Sequence, residues 1–101
     1  MVEDNSNRSA KYLEAINRAA RIRHGLDPNL IRAVIDGGEK SGEDSTSPAG
    51  AQGLMQLMPR TQKAYGVTNP YDPEQSIAGG SQMLHDLLTQ YKDPEKALAA
   101  Y

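Results

Sequence analysis

The chain has 101 residues, a formal net charge of -2 and 24% charged side chains. That is one small domain with no surplus of Lys and Arg, which excludes a strongly basic nucleic-acid binder. There is no Cys, Phe or Trp, so disulfide staples and thiolate chemistry are excluded and all five aromatics are Tyr.

Met1 to Arg8 carry no apolar period and read as a disordered tail, 1–8, ahead of a single domain over 9–101. No basic n-region leads into an apolar stretch, so no signal peptide is visible, and no apolar run approaches the ~18 residues of a membrane span. From Ser9 to His24 the spacing predicts a helix with Tyr12, Leu13, Ile16, Ala19 and Ala20 on one face. Gly25 is its stop. Asp27-Pro28 reads as N-cap and first helical residue of a second helix. Its stripe is Leu30, Ile31, Val34 and Ile35, and it should end at Gly37-Gly38.

Residues 39–51 have the Ser, Gly, Asp and Pro content of a long loop, and long loops tend to be functional or disordered. Apolar residues return at Leu54, Met55, Leu57 and Met58. Pro59 can open a short helical turn that Gly66 closes. The run NPYDPEQS leads into the clearest helical period of the chain, Ile77, Gly80, Leu84, Leu87 and Tyr91. Asp93-Pro94 starts a last helix carrying Ala97, Leu98 and Tyr101, which breaks off in mid-pattern. A truncated C-terminal part is therefore expected. An apolar stripe exposed on a cut helix would favour exchange between chains, so a homo-oligomer through that end is a further expectation. No window alternates with period two, and the expected fold is all-α, with about five helices.

The most informative stretch is SPAGAQGLMQLMP, from Ser47 to Pro59. A glycine-rich loop runs straight into apolar residues. Gly50 and Gly53 allow backbone to come close to something, and Gln56 has the donors and acceptors that suit sugar hydroxyls and amides. By itself the stretch reads first as a loop-to-helix junction whose methionines are core filler.

This run resembles the signature of the soluble lytic transglycosylase (SLT) family, lysozyme-like enzymes that cleave bacterial peptidoglycan. The likeness extends to LIRAVI before the loop, to TQKAYGVTNPYDPEQSIAGGSQML after it and to ALAAY at the end, about residues 26–101 in all. It implies a helical, lysozyme-like domain with a groove for a glycan strand. It implies one carboxylic acid that protonates the glycosidic oxygen between N-acetylmuramic acid and N-acetylglucosamine. The muramic 6-hydroxyl then attacks the anomeric carbon, giving a 1,6-anhydro product. That chemistry departs from the two-carboxylate scheme of most glycosidases and needs an acid of raised pKa.

The chain departs from the family at that acid. Both flanks align without a gap, and Gly38 stands where the catalytic Glu should be, with Glu39 next to it. Three readings are open. The acid is lost and the domain at most binds glycan. Alternatively, Gly37-Gly38 unwinds the helix end so that Glu39 supplies the acid, although one residue along a regular helix turns a side chain by about 100°. Or Glu39 is a solvated loop charge beside Lys40. Glu43 and Asp44 align with no family acid.

By the same resemblance Ser47, Gln56, Met58 and Tyr101 are substrate-binding positions. Met58 reads equally well as core packing, and Tyr101 as a frayed end. His24 and His85 have no ligand-like spacing, so no metal and no cofactor are expected. The implied partner is peptidoglycan, in the periplasm, the cell envelope or a phage virion. The alternative to an enzyme is a non-catalytic wall-binding or scaffold module of a secretion apparatus or phage particle.

Overall fold

A computed structural model describes residues 5–23, 26–37 and 43–101. His24, Gly25, Gly38, Glu39 and Lys40 lie outside the described residues. The described chain is all-α. A 3-10 helix (Asn5–Tyr12) runs into α1 (Leu13–Ile22), followed by α2 (Pro28–Gly37), α3 (Pro59–Ala64), α4 (Pro73–Tyr91) and α5 (Pro94–Ala100). Among the described residues there is no regular strand, only two isolated antiparallel bridges, Thr46 to Gln52 and Gln52 to Leu57. No helix of the described residues is long and apolar enough to cross a membrane.

Three helices begin on the same local device. Asp27, Asp72 and Asp93 each precede a proline, and each Oδ1 accepts the backbone N–H two residues on, from Asn29, Glu74 and Glu95. The carboxylate satisfies an orphan amide, and the proline needs no amide partner at the first helical position. At the other end of α4, Lys92 takes a left-handed conformation (φ 57°), which stops the helix and turns the chain into α5.

The core is aliphatic. Ile16, Ile31, Ile35, Leu54, Met55, Leu57, Ile77 and Leu84 are essentially fully buried. The long α4 is its spine, packing against α1, α2 and α5. Gly79 and Gly80 allow close packing on α4, since a Cβ at Gly79 would overlap the Val67 side chain.

The start of the chain differs from expectation. Regular structure begins at Asn5, inside the expected 1–8 tail, and it is 3-10 rather than α as far as Tyr12. Ser9 is the reason. It is buried, its N–H and hydroxyl both donate to the Asp36 carboxylate, and its Oγ accepts from Arg32 Nε. Arg8 Nη2 donates to the Ile35 carbonyl. These four bonds fix the chain against α2 in a tighter wind than a free α-helix would adopt. Two residues assigned to apolar faces, Leu13 and Tyr91, each stay 41% exposed. They are the first residue of α1 and the last of α4.

Candidate functional site: a cleft at the end of α2

The Ser47–Pro59 stretch forms a tight series of turns. Ser47 N–H donates to the Ala51 carbonyl, Ala51 N–H to Ser47 Oγ, and Gly50 N–H to the Ser47 carbonyl. Gln52 and Leu57 exchange both backbone bonds. Gly50 and Gly53 have φ of 101° and 80°, conformations that favour glycine, and a Cβ at Gly53 would overlap the Pro70 carbonyl. Ser76 Oγ, buried on α4, accepts Met55 N–H at 3.0 Å and anchors the turn to the core.

Gln56 is a non-glycine residue at φ 51°. Its side chain helps hold that conformation, since Nε2 donates to the Gly53 carbonyl at 2.7 Å and to the Ser45 carbonyl at 3.3 Å. Among the described residues Oε1 has no partner, so it is the group Gln56 can offer to a ligand. A left-handed glutamine held this way is strain kept by its surroundings, a feature that clusters at binding sites.

Beside it lies a cavity of about 380 Å³ lined by Ala33, Val34 and Gly37 of α2, by Met55 and Gln56, and by Leu98 and Tyr101 at the chain's other end. A Cβ built on Gly37 meets nothing within 4 Å, so the cavity is open there. Tyr101 donates its hydroxyl to the Met55 carbonyl at 2.9 Å. Burial pushes its phenol well above the ordinary tyrosine range, so it stays a protonated donor, committed to Met55.

The structure therefore brings Gln56 and Tyr101 together with the last turn of α2. It does not bring Ser47 or Met58 to that cavity. Ser47 Oγ is held in its own turn by Ala51, and Met58, 43% exposed, precedes α3. Gly38 and Glu39 lie outside the described residues. Two neighbouring acids are committed elsewhere. Asp36 accepts two bonds from Ser9 at 2.8 and 2.7 Å, and Glu43 accepts from Tyr12 at 2.8 Å. No group of His, Asp and Glu among the described residues could hold a metal ion. Val34 and Leu98 were read from the sequence as helix-face residues and Met55 as core filler, and their position on the cleft wall carried no local signal.

The chain matches the Transglycosylase SLT domain family over residues 14–101. The chain belongs to this SLT family. It is 47% identical over 83 residues, 82% of its length, to a transglycosylase of Enterobacteria phage PRD1, covering 31% of that protein. It is 39% identical over 101 residues to a membrane-bound lytic murein transglycosylase F of Stutzerimonas stutzeri, covering 93% of this chain and 21% of that one. A protein of the same name from Pasteurella multocida is 40% identical over 88 residues, with 80% and 18% covered. The chain thus spans less than a third of the length of these relatives. Within the SLT match, the cleft of Gly37, Gln56 and Tyr101 joins segments drawn from most of the matched length.

Proposed function

We propose that this SLT domain engages the glycan strand of bacterial peptidoglycan in the cleft at the end of α2, and that its turnover is impaired because Gly38 occupies the proton-donor position. The observation that carries the reading is the cavity's lining. It joins the end of the helix that should bear the acid to Gln56 and Tyr101, yet no described lining residue has a carboxyl side chain. Asp36 is bound to Ser9 and Glu43 to Tyr12, and Asp44 lines a different cavity, so Glu39, next to the family acid position, is the acid to test.

In this reading Gln56 Oε1 accepts from a sugar hydroxyl or amide, and the apolar wall of Val34, Met55 and Leu98 covers a sugar face. Proton transfer to the glycosidic oxygen needs a carboxyl at the α2 end, and a positioned general acid contributes about 10²- to 10⁴-fold. A domain lacking it binds strands and cleaves them slowly or not at all. The phage and membrane-bound relatives support work at the cell envelope or in a virion. A wall-binding module is the second reading, favoured by the absence of a side-chain carboxyl among the described lining residues.

The test is digestion of purified peptidoglycan by this chain, by Glu39→Gln and by Gly38→Glu. Gly38→Glu is expected to raise release of anhydro-muropeptides by about 10²-fold. Abolition of a real starting activity by Glu39→Gln would overturn impaired turnover and make Glu39 the acid. If no protein releases product and none co-sediments with sacculi, the glycan reading fails altogether.

A further inference from the structure

The 3-10 helix grips two separate segments, and each of them leads to the lining of the cleft. The first grip is on α2. Ser9 N–H and Oγ both donate to the Asp36 carboxylate, Arg32 Nε donates to Ser9 Oγ, and Arg8 Nη2 donates to the Ile35 carbonyl. Ile35 belongs to the last turn of α2, where helix carbonyls need donors from outside. Residues 35 and 36 stand between Val34 and Gly37, which line the cleft.

The second grip is on the turn. The Tyr12 hydroxyl donates to the Glu43 carboxylate at 2.8 Å. Two residues on, the Ser45 carbonyl accepts from Gly53 N–H at 2.8 Å and from Gln56 Nε2 at 3.3 Å. Gln56 lines the same cleft. Ser9 and Tyr12 are three residues apart, one turn of a 3-10 helix, so both grips leave one side of one element. All of Asn5–Tyr12 precedes residue 14, where the family match begins.

We propose that the 3-10 helix is a brace that sets the spacing between the α2 wall and the Gln56 wall of the cleft, with Ser9 and Tyr12 as positioning residues for a bound sugar. The proposal rests on the reading of the cleft as a glycan site. Neither Ser9 nor Tyr12 is among the described lining residues, so their effect on a ligand passes through Asp36 and Glu43. Walls held at the bound spacing before the ligand arrives spare it the cost of ordering them. Releasing either grip frees one wall from the other, and releasing both frees nothing more.

The test is titration of the full chain with chitotetraose, followed by amide NMR shifts, under conditions where circular dichroism shows each variant folded. Tyr12→Phe removes an exposed bond and keeps the ring, and it is expected to weaken binding by about threefold. Glu43→Gln keeps an oxygen that accepts from the phenol and should bind as the native chain does. Ser9→Ala should weaken binding by about threefold, and so should Ser9→Ala with Tyr12→Phe, where independent effects would multiply to about ninefold. Native affinity in Tyr12→Phe, a loss in Glu43→Gln equal to that in Tyr12→Phe, or a multiplied loss in the double variant would overturn the brace. If chitotetraose does not bind the native chain, the glycan reading of the cleft falls, and the brace is decided on the free protein. Ser9→Ala should then speed hydrogen exchange at Gly53 N–H beyond the global change, because its acceptor Ser45 follows the gripped Glu43. Exchange there that only tracks the global change would overturn the brace as well.

Discussion

The Tyr101 hydroxyl donates to the Met55 carbonyl at 2.9 Å, tying the end of the α5 segment to the turn that carries Gln56. One wall of the cleft is thereby fixed to the other. Gly80 on α4 makes room for this contact, because a Cβ there would stand 2.9 Å from the Tyr101 hydroxyl and 2.6 Å from Met55 Sδ. In this arrangement Tyr101 acts on the cleft by holding Met55, and its proton is not free for a sugar.

Tyr101→Phe is therefore expected to destabilise the fold. The ring's packing survives, but the Met55 carbonyl loses its donor, and an unmet buried acceptor costs about 1–3 kcal/mol. Urea unfolding checks this as a lowered midpoint at unchanged m. An unchanged midpoint would show that water replaces the phenol.

The glycines allow a ranked prediction. Gly50→Ala meets no neighbour and should cost only the left-handed backbone penalty, about 1–2 kcal/mol. Gly80→Ala has ordinary backbone but crowds Met55 and Tyr101, and overpacking of this kind costs about 1–3 kcal/mol. Gly53→Ala combines φ 80° with overlap of the rigid Pro70 carbonyl, so it should be the worst of the three. Thermal midpoints measured side by side check the order, at about 4–8 °C per kcal/mol for a domain this size. Gly53→Ala melting above Gly50→Ala would contradict it.

The helix starts were legible because their causes are local. An Asp-Pro pair at 27–28 and 93–94 carries its own cap, and the structure adds the same device at 72–73. The all-α fold, the apolar stripe of α2 and the Ile77, Gly80 and Leu84 part of that of α4 followed from spacing alone. What spacing could not give is the partnership of residues distant in sequence. Nothing local marks Ser9 as the buried partner of Asp36, or Tyr12 as the partner of Glu43. Assuming an α register from Ser9 missed the 3-10 wind that these bonds select. In the cleft, Gln56 was visible by its chemistry, whereas the commitment of its Nε2 to Gly53 and Ser45 depends on a turn that only the fold closes.

Ser9→Ala tests the N-terminal attachment. The hydroxyl donates to Asp36 at 2.7 Å and accepts from Arg32 at 3.0 Å, and the site is buried, so its loss leaves two charged groups less well met. The expected cost is about 1–3 kcal/mol. Hydrogen exchange should show loss of protection at residues 8–12 beyond the global change. Uniform loss across all helices would mean that the 3-10 helix is not a separate unit.

Burial, together with the hydrogen bond and negative charge of Glu43, pushes the Tyr12 phenol up from 10.0 to about 12. The folded state thus holds this proton more tightly than the unfolded chain. The stability linked to it is fully present below pH 10.0 and is lost as pH rises towards about 12. Tyr12→Phe removes that dependence as well as the bond to Glu43. Denaturant midpoints between pH 9 and 12 should fall more steeply in the native chain than in Tyr12→Phe, and the two curves should converge at the alkaline end. Parallel curves would place the alkaline loss on other groups and leave the Tyr12 bond to Glu43 without a thermodynamic signature.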